Sequence, residues 1–321
     1  MNLIQTQLLE LLADGQFHSG EALGTALGVS RMAVHKRIDS LAALGLDIFR
    51  VNRKGYRLAQ PLQLLDKAII LHELPPHIGD LHVHHITSST NDDLRLLLKQ
   101  EQVQPGLSVI AEMQTAGRGR RGKPWQSPFG CNLYLSMYWP LLQGLNAAIG
   151  MSVTLGVALA KLLQKQGIEG VSIKWPNDVY IAEQKVAGIL VELEGQADGE
   201  GQAIVGVGLN LMMPPNQEHI DQPFTSVQEH LSSQLNRNQW AALLIEAVYS
   251  ALQQHDAQGL QPTVAAWPQF DRFYKQPVEV ILGQHKHEGI ACGIDEMGAF
   301  LVEQEGVLKR YFGGEVSVRS K

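Results

Sequence analysis

Two runs in the second half of the chain, KVAGILVELEG (185–195) and AIVGVGLNL (203–211), are rich in strand formers and separated by a short polar turn around Asp198 to Gly201. So short a connection joins antiparallel neighbours, because a parallel pair needs a crossover of a dozen or more residues. SVIAEMQT (108–115), CNLYLSMYWP (131–140) and GVSIKW (170–175, broken at Pro176) read as further strands, whereas TLGVALAKLLQKQG (154–167) and NQWAALLIEAVYSALQQH (238–255) read as long helices. The body from residue 66 to 272 is therefore expected to be a mixed or antiparallel sheet with helices, not a series of βαβ units. After residue 272 short strands alternate with glycine turns, which predicts a small barrel of SH3 size over 273–321.

The segment GRGRRGKPW (117–125) also bears on that exclusion. Its first six letters fit G-x-G-x-x-G, a fingerprint that works only between a strand and a helix opening on the glycines. Pro124 and Pro128 follow, so no helix begins there to face a pyrophosphate. What remains is a glycine-hinged loop with Arg118, Arg120, Arg121 and Lys123 close together, suited to wrapping an anion. Like charges so close repel, so the empty loop is expected to be disordered and to order on a phosphate or carboxylate. Trp125 offers a face to a purine ring. A solvated basic loop, or a second contact to DNA, accounts for the same residues without a site.

The first 62 residues form a different unit. A helix in LIQTQLLELLADG, a second capped by Ser19 and stopped at Gly28, and a third capped by Ser30 and closed by Gly45 give a helix-turn-helix. Val34, Ile38 and Leu41 share the inner side of the third helix, which leaves Arg31, Met32, His35, Lys36, Arg37, Asp39 and Ser40 outside or flanking. DIFRVNRKGYRL follows as a hairpin with Arg53 and Lys54 near its tip, completing a winged helix-turn-helix. The 321-residue chain carries a net charge of -6, yet residues 30–57 hold Arg31, Lys36, Arg37, Arg50, Arg53, Lys54 and Arg57 against Asp39 and Asp47. A basic module on an acidic body points to operator DNA as its partner, with the third helix in the major groove. A winged helix used only for protein contacts is the alternative.

Two further constellations carry chemistry. In KWPNDVY (174–180) Lys174, Asn177 and Asp178 lie where a strand breaks at Pro176, which suits either a site or a plain turn. Lys185 opens the next strand and points into the site or into water. In SSTND (88–92) the residues before a helix can cap it or can hydrogen-bond a small polar ring. The clusters at His82, His84 and His85 and at His285 and His287 lack a nearby third ligand, so no metal site is expected. Cys131 and Cys292 stand far apart, no secretory signal is evident and no apolar run is read as bilayer-spanning, which together suggest a cytoplasmic protein with no membrane partner.

SSTND, QTAGRGRRGKPW, KWPNDVY, KVAGILVE and GVGLNL, in that order behind a winged helix-turn-helix, resemble the bifunctional biotin-protein ligases that double as biotin operon repressors. The resemblance covers essentially the whole chain. It implies an α+β multidomain protein: a DNA-binding domain (1–62), a class II synthetase-like catalytic domain (66–272) and an SH3-like domain (273–321). It also implies ATP and biotin as substrates, with Mg²⁺ on the pyrophosphate. Biotin would be activated to biotinyl-5'-AMP and passed to a lysine of the biotin carboxyl carrier protein of acetyl-CoA carboxylase. The adenylate would also act as corepressor by favouring a homodimer on a palindromic operator.

By the same resemblance Ser89, Thr90, Asn91 and Gln114 hold the ureido ring, and Arg118, Gly119, Arg120 and Lys185 complete the biotin site. Arg120, Arg121, Lys123, Trp125, Asn177 and Asn210 surround the adenylate, and Asp178 orients the incoming lysine. Both steps bring anions together or develop negative charge, so Arg118, Arg120, Lys123 and Lys185 are the candidate cations, each lowering the barrier by about 3 kcal/mol, with Arg118, Arg120 and Lys185 expected to be catalytic. Pro124 departs from the pattern and stiffens the chain before Trp125. A lipoate or octanoate ligase, or a repressor that senses biotin without transferring it, would share many of these features; the polar SSTN with Gln114 favours a ureido ring over an alkyl chain.

Overall fold

The computed structural model of the protein describes residues 3–100, 103–195, 199–214, 220, 222–313 and 316–320. Its N-terminal unit packs α1 (Leu3–Leu12), α2 (Gly20–Leu27) and α3 (Arg31–Ala42) against the hairpin of β1 (Ile48–Val51) and β2 (Gly55–Leu58). Both expected serine caps form: Ser19 accepts from the Ala22 amide at 3.0 Å and Ser30 from that of Ala33 at 3.2 Å. The third helix ends at Ala42, before the expected Gly45. Gly55 has φ +103°, and a Cβ there would lie 2.0 Å from the His18 carbonyl oxygen, so only glycine lets the wing pair with His18.

The central unit begins with α4 (Lys67–Glu73), β3 (Leu81–His84), α5 (Thr90–Gln100), β4 (Ser108–Ala111) and β5 (Leu133–Leu141). It continues with α6 (Met151–Lys165), β6 (Val171–Lys174), β7 (Asp178–Ile181), β8 (Gln184–Gly195), β9 (Gly201–Leu209), α7 (Arg237–Gln258) and α8 (Gln261–Phe270). Seven strands make one sheet in the order β3-β4-β5-β9-β8-β7-β6. β8 and β9 pair antiparallel as their short connection requires, and β3 runs parallel to β4, which makes the sheet mixed. The turn expected around Asp198 lies partly outside the described residues.

Helices α6, α7 and α8 sandwich the core against the sheet. The stretch Leu145–Lys165 is, by length and composition, apolar enough to cross a membrane, contrary to the sequence reading. Its helix α6 buries Met151, Val153, Leu155, Val157, Leu159 and Leu163, so its apolar character fills a protein core. α8 went unread because Pro262 and Pro268 are poor helix signals, although the first sits at the helix start, where proline fits.

The C-terminal strands β10 (Pro277–Leu282), β11 (His285–Ile294), β12 (Phe300–Gln304), β13 (Val307–Tyr311) and β14 (Val316–Ser320) form an antiparallel sheet ordered β13-β12-β11-β10-β14. Trp175 joins it to the central unit: its ring stacks on Phe300 at 5.5 Å and its Nε1 donates to the Gly298 carbonyl at 3.0 Å. A buried ion pair within the central unit holds the linker that follows the N-terminal unit. Glu112 and Arg237, both fully buried, meet at 2.8 Å. Glu112 also accepts from the Leu65 amide, and Arg237 donates to the Gln63 and Asn132 carbonyls. Phe129 of the central unit completes the N-terminal core beside Leu8, Ile38 and Leu58.

Candidate active site

One face of the central sheet is open beneath the glycine-hinged loop and forms a cavity of about 790 Å³. A single cross-strand row floors it: Lys174, Asp178, Gly188, Gly208 and Tyr134, neighbours in register on β6, β7, β8, β9 and β5. Glycines at 206 and 208 alternate along β9 and leave that face without side chains. The space is filled from above. A Cβ at Gly208 would lie 2.4 Å from the Trp125 ring and one at Gly188 2.8 Å from it, so the indole lies over both glycines. A Cβ at Gly206 would lie 2.7 Å from Asn91 Oδ1.

At one end the SSTND segment leads into α5 and turns inward. Ser89, Thr90 and Asn91 are buried. The Thr90 amide and hydroxyl donate to Gln114 Oε1 at 3.0 and 3.1 Å, and Gln114 Nε2 donates to Ser127 at 3.2 Å. Ser136 on β5 donates to Thr90 Oγ1 at 2.7 Å, and Asn91 Nδ2 to Glu192 at 2.7 Å. The four expected biotin contacts, 24 residues apart at their widest bond, thus form one polar wall.

The loop 117–125 folds back on itself. Gly119 donates to the Lys123 carbonyl at 2.7 Å and Trp125 to that of Gly117 at 2.8 Å, which makes a small hairpin. Its turn holds Arg121 and Gly122 at φ +58° and +69°. The repulsion is relieved because the cations diverge. Arg118 reaches Asp92 and Glu192, while Arg120 donates to Asn177 Oδ1 at 3.2 Å. Arg120, Arg121, Lys123 and Trp125 all line the cavity. Burial, reinforced by the charge of Arg121, pushes the Arg120 guanidinium below its ordinary value, although an arginine stays charged.

At the other end lies KWPND. Asn177 donates to the Ile189 carbonyl at 2.8 Å, and a register shift between β7 and β8 at Val179 and Tyr180 brings Lys185 round to the cavity. Lys185 is 13% exposed, lies 2.7 Å from Asp178 and sits 5.3 Å over the Trp125 ring, so it belongs to the site and not to solvent. Burial also lowers the Lys174 ammonium, and the charges of Lys185, Arg319 and Arg272 push the same way. Asn210 borders the cavity, but its Nδ2 donates to the Thr225 carbonyl at 3.1 Å, so its amide braces the wall.

Lys174, singled out in KWPNDVY without a role, lines the cavity; Tyr134, the glycine floor and Arg319 of β14 are cavity residues outside the expected set. The alternating glycines of GVGLN were the signal for the floor; nothing local announced Arg319, which comes from the C-terminal sheet. Among the described residues no group of three or more His, Cys, Asp or Glu could hold a metal ion.

On the N-terminal unit Arg31, Met32, His35 and Lys36 are exposed on α3, and Arg53 and Lys54 are exposed at the wing. Arg37 and Ser40 are less available: Arg37 donates to the Ala33 carbonyl at 3.1 Å and Ser40 to that of Lys36 at 3.1 Å. Asp39 pairs with His35 and Arg50, which fixes the wing against the helix.

A cavity of this make on a mixed sheet, in one chain with a winged helix-turn-helix, defines a protein that combines a ligand-binding body with a DNA-binding unit. The sequence matches an HTH domain over residues 4–57, the Biotin/lipoate A/B protein ligase family over 83–210 and the Biotin protein ligase C terminal domain over 276–319. It is 44% identical to the Bifunctional ligase/repressor BirA of Escherichia coli (strain K12) over 99% of this chain and 98% of that one. Against the protein of the same name from Salmonella typhimurium it is 46% identical over 98% of this chain and 97% of the other. Among solved structures it resembles a biotin protein ligase from Aquifex aeolicus in complex with biotin and ATP, with a TM-score of 0.64 and 27% identity over 75% of this chain and 99% of that one. The chain belongs to the bifunctional ligase/repressor family of biotin protein ligases.

Proposed function

We propose that this chain activates biotin with ATP, transfers it to a lysine of the biotin carboxyl carrier protein, and represses transcription with the activated intermediate as corepressor. The observation that carries this reading is the convergence on one cavity of the polar wall Ser89–Thr90–Asn91–Gln114, the cationic loop and Lys185. Three working units follow, at 1–62, 66–272 and 273–321, in a cytoplasmic protein.

In the first step a biotin carboxylate oxygen attacks the α-phosphorus of ATP, the bond to the β-phosphate oxygen breaks, and pyrophosphate leaves. The polar wall takes the ureido ring and sets the carboxylate under the loop. Arg120 and Lys185 meet the α-phosphate, where charge grows in the transition state. Arg118 and Gly119 cover biotin with their backbone, Arg121 and Lys123 serve the phosphates, Asn177 holds Arg120 in place, and Trp125 with the Asn210 wall receives the adenine. Mg²⁺ would arrive on the triphosphate; the described residues offer no metal cage for it, and no step here is assigned to it.

In the second step the acceptor amine attacks the acyl carbon and AMP leaves. Asp178, 2.7 Å from Lys185, can exchange that partner for the incoming lysine, align it and take up the proton its ammonium must lose to attack as the amine, while the second proton shed as the amide forms passes to solvent. The closed loop keeps water from the acyl-adenylate until then. With acceptor scarce, the retained adenylate favours a homodimer that sets two copies of α3 on adjacent half-sites. The test is mass spectrometry of purified carrier protein after incubation with this chain, biotin and MgATP. One biotinyl addition on a lysine is expected; addition only from lipoate or octanoate would assign the site to an alkyl acid.

A further inference from the structure

The outer face of α3 carries an acid, which a helix that meets DNA has little use for. Met32, His35, Lys36 and Asp39 fall at i, i+3, i+4 and i+7, on the side away from the buried Val34, Ile38 and Leu41. Met32 is 78% exposed, and His35, Lys36 and Asp39 are exposed too. An uncompensated carboxylate on that face would repel the phosphates of a duplex. Asp39 is compensated from two elements. Its Oδ2 lies 3.1 Å from His35 Nδ1, one turn earlier on the helix, and its Oδ1 accepts from Arg50 of β1. An exposed pair within one helix is weak by itself. Here the wing reinforces it. Arg50 faces Tyr56 across the β1–β2 hairpin, and the Tyr56 and His35 rings meet at 89° with centroids 6.4 Å apart. Tyr56 is buried and its backbone bonds His18 in both directions at 2.9 Å, so the wing offers the imidazole a fixed wall.

A carboxylate only accepts, so Nδ1 carries the hydrogen and Nε2 is left for a ligand. Among the described residues Nε2 meets no partner. It can accept from a base edge when the ring is neutral and donate to one when the ring is protonated. We propose that His35 reads one base pair of each operator half-site through Nε2, and that Asp39 and Arg50 are positioning residues that fix its ring without touching a base. A ring already held in one orientation loses less freedom on contact, which sharpens its choice of base. Arg50 thereby serves the helix and not a phosphate. The inference rests on the reading of α3 as the helix that enters the major groove.

Selection of DNA from a random library by the full chain with biotin and MgATP, read by sequencing, gives the base preference at every position. Wild type is expected to return a two-fold symmetric site. His35→Ala should lose about fivefold of the preference at one position in each half-site and keep the others. Asp39→Ala and Arg50→Ala should blunt that same position about two- to threefold, and Arg50→Lys should restore it. The two alanine variants change the net charge in opposite directions, so a shared loss at one position cannot come from charge alone. Lys36→Ala, a loss of charge without a ring, should weaken all sequences alike. Thermal melts of each variant exclude unfolding. Unchanged preferences in His35→Ala would overturn the base contact. Asp39→Ala and Arg50→Ala that leave the position as sharp as wild type, or that lower every position equally, would overturn the positioning role. A wild type that selects no sequence would refute the DNA reading itself, and this inference with it.

Discussion

Gly208→Ala perturbs the site at a single atom and leaves its charges intact. The added Cβ would stand 2.4 Å from Cε2 of Trp125 and 2.5 Å from Cζ2 and Nε1, where carbon contacts prefer about 3.5–4.0 Å. Because Cε2 belongs to the fused ring, no rotamer tip can yield; the indole must move off the floor by about 1 Å or more. Alanine suits a strand at least as well as glycine does, so the fold should hold. An adenine stack on a displaced indole loses about 1–3 kcal/mol, which at about 1.4 kcal/mol per decade raises the ATP KM some five- to hundredfold. Biotin KM should move little, whereas Gly206→Ala, whose Cβ meets Asn91 at 2.7 Å, should raise biotin KM and spare ATP. Pyrophosphate-exchange kinetics with each substrate varied in turn would measure both. An unchanged ATP KM in Gly208→Ala, or identical patterns in the two variants, would refute the division of the floor into an adenine end and a biotin end.

Further outcomes follow from the same contacts. Arg120→Ala should raise the adenylate off-rate by one to two orders of magnitude, roughly the effect of losing one preorganised charged donor, with the melting temperature unchanged. Lys36→Ala should weaken operator binding and flatten its salt dependence by about one counterion while ligation proceeds as before, measured by DNA titration across ionic strengths. Glu112→Gln leaves the fully buried Arg237 without its counter-charge and should cost about 3–5 kcal/mol of stability by denaturant unfolding. In that variant the N-terminal unit should also come loose from the central one, seen as faster proteolysis near residue 63.

The N-terminal unit was legible because its signals are local: serine caps at 19 and 30, a left-handed Gly28, and an alternating hairpin. The antiparallel β8–β9 pair was legible because its connection is short. The parallel β3–β4 pairing was not, since β3 is only four residues long and its register depends on a neighbour across α5. The site's polar wall could be placed from SSTND and Gln114 with the help of a family resemblance. Lys185 could not be placed inside or outside from spacing, because a register irregularity decides where it points. The partners of Arg118 were illegible for a different reason. Asp92 lies 26 residues away on a helix and Glu192 lies 74 residues away on a strand, and each reads alone as a surface acid. The same holds for Glu112 and Arg237, which meet only because the fold buries both.

The account's central claim is that this cavity joins biotin to the nucleotide, and biotin-dependent exchange of labelled pyrophosphate into ATP tests it most directly. With purified protein, exchange is expected with biotin and not with lipoate or octanoate, and it should disappear in Arg120→Ala or Lys185→Ala. Tight biotin binding with no exchange from any of the three acids would contradict the claim and leave a biotin-sensing repressor in its place.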